Sequence, residues 1–262
     1  MVRYCAAIWN YAWTSQDVVE HIPRFVAMGY DAISFIPDQC LKWDASGRAD
    51  VLAALKAHDL AVTLHGKIDD TAGGIASLQD WLGARLVNYT IDAPMRWESI
   101  GTVFDGELIG RRLGETQLAT RGTSLRLGVE DFPVDRRAFD VHARHLAPLA
   151  AGGRWGILID VGHYHLRRRF LPAPAEFLGG LPVPLLELHI HDNDGLKDQH
   201  GPIGYGSLDF AELAAAVKTV GFDGVSTSEA APSLHGREPA QSLEEMSTTI
   251  TAWRRLMEEA RS

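Results

Sequence analysis

Long apolar runs are missing from the sequence, and none approaches the roughly 20 residues that cross a bilayer. The amino terminus, from Met1 to Asn10, also lacks the extended apolar core and small-residue cleavage site of a signal peptide. Cysteine is scarce, because Cys5 and Cys40 are the only two, and two isolated thiols fit a reducing compartment. We therefore expect a cytoplasmic protein with no membrane partner.

Positive charge is also scarce. The chain has 25 lysines and arginines against 34 aspartates and glutamates, which gives a formal net charge of −9. Such an acidic surface repels phosphate backbones and anionic lipid. The one dense basic run, Arg167 to Arg169, is short enough to be a solvated loop. This balance predicts no nucleic-acid partner.

Short apolar runs alternate with amphipathic stretches along the whole chain. The predicted strands are Arg3–Asn10, Ala32–Pro37, Leu60–His65, Arg85–Ile91, Leu125–Glu130, Trp155–Asp160, Pro184–His191 and Gly224–Glu229. The helical patterns between them cover Gln16–Met28, Ala49–His58, Gly74–Leu82, Arg136–Leu149, Phe210–Val220 and Leu243–Glu259, with a weaker one in Thr102–Thr120. This alternation predicts parallel strands, because each return crossing needs a helix.

A glycine-rich phosphate loop is absent after the first predicted strand, where the sequence reads Trp9-Asn10-Tyr11-Ala12-Trp13. A doubly wound sheet would want glycines there. The length of 262 residues is close to the ~250 of one complete (β/α)8 barrel, and no linker divides it. The sequence therefore predicts an α/β protein with a single TIM-barrel domain over residues 1–262.

Polar residues fall on the inward parity of several predicted strands. Alternate side chains of a barrel strand point inward, so Leu186 and Leu188 should face the helices. The interior should then receive Glu187, His189 and His191 from the seventh strand, and Thr63, His65, Arg126, Glu130 and Asp160 from others. Several polar groups therefore converge on one interior.

Four of the strand-end residues have side chains that bind divalent metals: Glu130, Asp160, His189 and Glu229. A single inward glutamate or histidine is more often a core polar group than a ligand. Four at successive strand ends are hard to explain as core filling, because unpaired buried charge is costly. They also lie at the end of the barrel where active sites occur. Carboxylate and imidazole suit Mn, Zn, Co, Fe or Mg, and the sequence leaves the metal open.

Several segments resemble the xylose isomerase-like TIM-barrel superfamily, which includes sugar isomerases and epimerases, inosose dehydratases and endonuclease IV. They are Val129–Asp131, Leu158–His163, Leu188–Gly195, Asp198–Gly206 and Ser228–Glu229. The resemblance covers strands five to eight well and the first half weakly. It implies that one metal is held by Glu130, Asp160, His189 and Glu229. His191 has the same parity as His189, and only the resemblance favours His189.

The resemblance implies a further group of polar residues beside that metal. In the Asp160-x-x-His163 pair, the histidine contacts substrate or a second metal. Asp198 and His200 resemble ligands of the third zinc of endonuclease IV. His163, Asp198 and His200 are therefore expected either to hold a second ion or to bind substrate, while Asp192 is expected to order its loop.

Two departures from the relatives bear on function. Endonuclease IV has a histidine at the end of strand four, but Val87–Asp92 contains none, so a complete three-zinc cluster is not expected even though His65 matches the strand-three histidine. With the acidic charge, this argues against DNA repair. Gly195 stands where some ketose epimerases place an arginine, and Lys197 is the nearby substitute.

The leading expectation is metal-dependent isomerisation or epimerisation of a small carbohydrate-like carbonyl compound. Glu130 and Glu229 would be the catalytic pair that moves the proton, with the metal stabilising an enediolate. The predicted substrate-binding residues are His65, Lys67, His163, His200 and Trp13, with Trp9 and Trp97 as further pocket walls. Dehydration of an inosose or a dehydroshikimate-like acid is the alternative reaction, and a non-catalytic metal-binding barrel is the third reading. Many relatives associate, so a homo-oligomer stays open.

Overall fold

The computed structural model describes residues 1–9, 11, 13–92, 106–131, 147–148, 150–151, 154–229 and 239–260. Eight strands close into a barrel in chain order. They are β1 Arg3–Ala7, β2 Ala32–Phe35, β3 Ala61–Gly66, β4 Leu86–Asp92, β5 Arg126–Asp131, β6 Trp155–Asp160, β7 Leu185–Ile190 and β8 Val225–Ser228. Every neighbouring pair is parallel, including β8 with β1. The predicted TIM barrel is confirmed.

The helices in the described ranges follow the strands. They are α1 Ser15–Met28, α2 Pro37–Lys42, α3 Ala45–Ala57, α4 Ala72–Leu82, α5 Gly106–Ala119, α6 Val161–Leu166, α7 Pro174–Gly179, α8 Phe210–Thr219 and α9 Pro239–Glu259. The weak helical pattern in Thr102–Thr120 corresponds to helix α5 over the residues that the structure describes. Helices α2, α6 and α7 have six residues each, too few to show a helical period in the sequence. The predicted helix Arg136–Leu149 lies almost entirely outside the described residues.

Helix α1 shows how local sequence sets these elements. Thr14 and Asp17 form a capping box at its amino end, in which each side chain accepts from the other residue's backbone N–H. Gly29 ends the helix with φ at 100°, a left-handed conformation that glycine adopts readily. The buried face of α1 includes Val18 and Phe25 and packs in the main apolar core.

The barrel interior is polar near its middle. Asn88 Nδ2 on β4 donates to Glu187 Oε2 on β7 at 3.2 Å, although these two strands are not neighbours. The contact therefore crosses the interior, as the parity of both strands requires. Both cysteines are buried free thiols. In the part of the chain that the structure describes, no helix combines the length and apolarity needed to cross a membrane.

Candidate metal centre

The four predicted ligands meet at the carboxyl ends of β5 to β8. His189 Nδ1 lies 3.2 Å from Glu229 Oε2, and 3.9 Å from both Glu130 Oε2 and Asp160 Oδ2. Their side chains are 1% to 12% exposed. The structure therefore places three buried carboxylates around one buried imidazole.

Secondary structure fixes the direction of the Asp160 carboxylate. Asp160 is the last residue of β6 and the N-cap of α6, so its Oδ1 accepts from the backbone N–H of His163 at 2.8 Å. His191 Nε2 lies 2.9 Å from the same oxygen. The side chain that closes the strand is thus held by the first turn of the helix that follows.

A second group adjoins the first. Asp198 Oδ2 lies 3.1 Å from His163 Nε2 and 3.1 Å from His200 Nε2. His191 completes the group, with its ring stacked on His200 at 3.9 Å between centroids. One ligand atom from each of the four residues lies within 4.8 Å of the others. His163 Nδ1 is also 3.2 Å from Glu130 Oε1, which joins this group to the first. The predicted trio is brought together, with His191 as a member that the sequence left undecided.

Asp192 builds the loop that carries Asp198 and His200. Its buried carboxylate accepts from four backbone N–H groups, those of Asn193, Gly204, Gly206 and Leu208. Two backbone hydrogen bonds between Asp192 and Gly201 close the loop. His200 has φ at 44°, an uncommon conformation for a residue with a side chain, and such strain concentrates at functional sites. The contacts bear out the expectation that Asp192 orders its loop.

A third group lies at the ends of β3 to β5, where the sequence gave no reason to expect one. His65 Nε2 is 2.8 Å from Asp92 Oδ1 and 3.3 Å from Glu130 Oε2, while its Nδ1 is 3.0 Å from Thr90 Oγ1. Sequence reasoning looked for a histidine at the end of strand four and passed over Asp92. That carboxylate closes an apolar strand as Glu130 does, but its contact with His65 follows only from the pairing of β3 with β4.

Carboxylates and imidazoles in these groups shift each other's pKa values. Burial alone would raise the pKa of Glu229, but the charge of His200 and the hydrogen bond with His189 lower that pKa to about 2. Burial alone would lower the pKa of His65, but its hydrogen bond with Asp92 and the charge of Asp92 raise that pKa to about 10. The negative charge of Asp92 thus favours the protonated form of His65, and a cation bound by His65 would have to displace that proton.

The donor set fits a divalent cation. Buried carboxylates and imidazoles together suit Mn, Zn, Co, Fe or Mg. Within the described residues, Asp198 Oδ1 and His191 Nδ1 are buried with no hydrogen-bond partner. Unsatisfied buried polar atoms are costly and are rare in folded proteins, so a ligand at this end would remove part of that cost.

Trp9 and Trp13 contact different parts of the molecule. Trp9 lies over the cluster, with ring centroids 5.1 Å from His65 and 5.5 Å from His189. Trp13, predicted to bind substrate, stacks on His21 of helix α1 at 4.3 Å between ring centroids. The structure therefore places Trp9 beside the cluster and Trp13 against α1, the helix that begins two residues after it.

Lys67, also predicted to bind substrate, directly follows β3. It lines a cavity of about 240 Å³ with Asp69, Asp70 and Asp38 of helix α2. Trp97, the third predicted pocket wall, falls outside the described residues.

Comparison with known sequences finds similarity over part of the chain. The family model for xylose isomerase-like TIM barrels matches residues 141–253. The uncharacterized protein MJ1311 of Methanocaldococcus jannaschii is 30% identical over 111 residues, which cover 40% of this chain and 36% of that protein. The chain thus spans about a third of the length of the curated relative that it matches.

Solved structures of the same fold cover nearly the whole chain. An L-ribulose 3-epimerase matches 100% of this chain and 96% of its own, with a TM-score of 0.74 and 12% identity. The IOLI protein with a bound zinc atom matches 98% and 99%, with a TM-score of 0.67 and 14% identity. A TIM-barrel protein of Mycobacterium smegmatis in complex with magnesium matches 99% and 98%, with a TM-score of 0.69 and 15% identity. The whole chain therefore has the TIM-barrel fold of these structures, and residues 141–253 match the model of xylose isomerase-like TIM barrels.

Proposed function

We propose that the protein is a divalent-cation-dependent isomerase or epimerase of a small polyhydroxy carbonyl compound. One observation carries the proposal: three buried carboxylate oxygens lie within 3.9 Å of His189 Nδ1 at the carboxyl ends of β5 to β8. An acidic cluster of this kind is hard to reconcile with a purely structural role, because buried charges contribute little net stability even when they are paired.

Glu130, Asp160, His189 and Glu229 would hold the cation. When bound, it would polarise a carbonyl and a neighbouring hydroxyl of the substrate. This would acidify the C–H of the carbon that carries the hydroxyl. The zinc in the IOLI structure and the magnesium in the Mycobacterium smegmatis structure support this part of the proposal.

Proton transfer is assigned to Glu130 and Glu229. Their strands, β5 and β8, lie three positions apart in the ring of eight, so the two carboxylates reach the same space from different directions. One would remove the proton from the substrate carbon and the other would return it. A change of face at that carbon gives epimerisation, and return to the neighbouring carbon gives isomerisation.

Substrate hydroxyls would be oriented by the imidazoles around the carboxylates. His65, His163 and His200 each lie within 3.6 Å of a carboxylate oxygen of Glu130 or Glu229. His163 and His200, with Asp198, could equally hold a second ion. Trp9 covers one side of the cluster and would limit access of water.

The substrate class follows from charge and from the fold neighbours. The chain carries a net charge of −9, which disfavours polyanionic substrates. The epimerase among the solved structures is named for L-ribulose, a ketose. We therefore propose an unphosphorylated ketose.

The test measures solvent deuterium incorporation at the carbon next to the carbonyl, in a panel of ketopentoses and ketohexoses with Mn²⁺ present. Glu130→Gln and Glu229→Gln should each abolish incorporation. The matched control is Glu176→Gln, on an exposed position of α7, which should keep wild-type activity.

Calorimetric titration with Mn²⁺ and Zn²⁺ accompanies the exchange assay. Failure of the wild-type protein to bind either cation would overturn the proposal. Full exchange in either active-site variant would overturn the assignment of the two glutamates. An enone product, seen by its ultraviolet absorbance, would replace isomerisation by dehydration.

A further inference from the structure

Glu187 is a buried carboxylate in the layer directly below the candidate metal centre. It precedes His189 by two residues on β7, faces the same interior and is fully buried. Its Oε1 accepts from Thr227 Oγ1 at 2.5 Å and its Oε2 accepts from Asn88 Nδ2 at 3.2 Å. Two donors from two other strands therefore hold this carboxylate in place.

The orientation of Asn88 is itself determined. Arg126 Nε donates to Asn88 Oδ1 at 3.0 Å. Because the amide oxygen of Asn88 is occupied by this donor, its amide nitrogen must point at Glu187. The chain of contacts from Arg126 to Glu187 thus has one consistent set of hydrogen-bond directions.

His189 lies between the two layers. Its Nδ1 faces the carboxylates of Glu130, Asp160 and Glu229, and its Nε2 faces Glu187 Oε1 at 3.8 Å. Among the described residues, Nε2 has no hydrogen-bond partner. The separation of 3.8 Å is longer than a hydrogen bond. The interaction is therefore an electrostatic one between the carboxylate, which is held in place, and the imidazole ring.

We infer that Glu187 is a positioning residue for His189: when a cation displaces the proton on Nδ1, the Glu187 carboxylate faces the remaining ring proton on Nε2 and stabilises that tautomer. The inference rests on the proposed cation site. A carboxylate behind a metal-ligating imidazole fixes its tautomer and strengthens it as a ligand.

A purely structural role does not account for the charge. Burying a carboxylate costs several kcal/mol unless it is paired. Within the described residues, the basic side chain found within 4.0 Å of Glu187 is that of His189. A glutamine would place its amide oxygen and amide nitrogen where the two carboxylate oxygens lie, so it could also form hydrogen bonds with Asn88 and Thr227. These two hydrogen bonds therefore do not require a negative charge.

Glu187→Gln tests the inference because it keeps size and shape. Asn88 would donate to the new amide oxygen, which leaves the NH2 on the side of Thr227 and His189 Nε2. That NH2 favours a bare Nε2 and a proton on Nδ1, the atom that should bind the cation. We expect Mn²⁺ affinity to fall about 10- to 100-fold by calorimetry. The melting temperature of the chelated protein should not fall, since a buried charge is removed.

Two further measurements separate positioning from general disruption. Thr227→Val is the matched control, because it removes a hydrogen bond to Glu187 and leaves the carboxylate. It should lower the melting temperature and leave Mn²⁺ affinity near the wild-type value. In long-range ¹H–¹⁵N spectra of histidine-labelled wild-type protein loaded with Zn²⁺, which is diamagnetic, His189 should carry its remaining proton on Nε2.

The outcomes are distinct. Wild-type Mn²⁺ affinity in Glu187→Gln, or a His189 that carries its proton on Nδ1 in the Zn²⁺-loaded protein, would overturn the role of Glu187 and leave the proposed function intact. Equal loss of affinity in Glu187→Gln and Thr227→Val would also overturn it, since packing alone would then explain both. Absence of Mn²⁺ binding to the wild-type protein would overturn the proposed function together with this inference.

Discussion

The interior of the barrel contains two polar layers that differ in how their groups are satisfied. In the lower layer, Thr63 Oγ1 donates to Ser34 Oγ at 2.6 Å, and Glu187 accepts from Asn88 and Thr227. The upper layer also has many internal contacts, but buried atoms there, among them Asp198 Oδ1, have no hydrogen-bond partner in the described residues. Among the described residues, the hydrogen bonds named in the lower layer leave no unsatisfied atom of Asn88, Thr63 or Glu187, whereas the upper layer has buried atoms without a partner.

This difference separates stability from function within one interior. A satisfied buried network stabilises the fold, whereas a partly satisfied one is costly and persists where binding requires it. Changes in the lower layer should therefore lower stability, and changes in the upper layer should mainly affect binding. Glu187 is the exception that links the two layers, because it faces His189.

The largest expected effect comes from breaking the lower layer at Asn88. Asn88→Ala removes a donor to the buried Glu187 carboxylate and the acceptor of Arg126. We expect a loss of about 3 kcal/mol in the free energy of unfolding, because hydrogen bonds to charged groups are the strongest ones. Urea unfolding of the chelated protein measures it.

A control in the same layer involves a neutral pair. Ser34→Ala removes the acceptor of Thr63 and should cost about 1 kcal/mol. Equal losses in the two variants would contradict the view that the buried charge makes Asn88 important.

The fold could be predicted from the sequence because the alternation of strand and helix patterns indicates a parallel barrel. Alternation along a strand assigned Glu130 and Asp160 to the interior, but it assigned His189 and His191 there equally, and only the family resemblance favoured His189 as the ligand. The strand ends were less well placed, and the first strand stops at Ala7 rather than at Asn10, which lies outside the described residues.

The parts that sequence reasoning missed depend on contacts between distant segments. Asp92 is recognisable as a ligand candidate only when β3 places His65 beside it. The pairing of His191 with His200 depends on how the loop ordered by Asp192 folds back. The sequence places Trp13 near a strand end, and the position of α1 determines that its ring stacks on His21.

An intermediate effect is expected in the upper layer at Gly162. A Cβ on this residue would lie 1.9 Å from His191 Cε1, so Gly162→Ala must displace the ring that contacts Asp160. We expect about 2 kcal/mol of destabilisation from overpacking and a clear loss of Mn²⁺ affinity. Calorimetry and urea unfolding measure the two effects separately.

Gly73→Ala is the matched control in helix α4. A Cβ there meets no atom within 4 Å, and alanine is the better helix former. Stability should rise slightly with binding unchanged. Retention of full Mn²⁺ affinity in Gly162→Ala would show that the position of His191 does not matter for the cation site.

The smallest effect is expected from an exposed carboxylate at the opposite end of the barrel. Asp59 precedes β3, its side chain is 97% exposed, and it pairs with Arg85 at 3.3 Å. Asp59→Asn should change stability by less than about 0.5 kcal/mol, because exposed ion pairs contribute little. Asparagine also tolerates the left-handed φ of 51° at this position. The same change at Asp160 removes a charge from the centre of the candidate site, and there we expect Mn²⁺ binding to be lost. If both Asp→Asn variants bound Mn²⁺ like the wild type, burial and convergence would not distinguish ligands from ordinary acidic residues in this barrel.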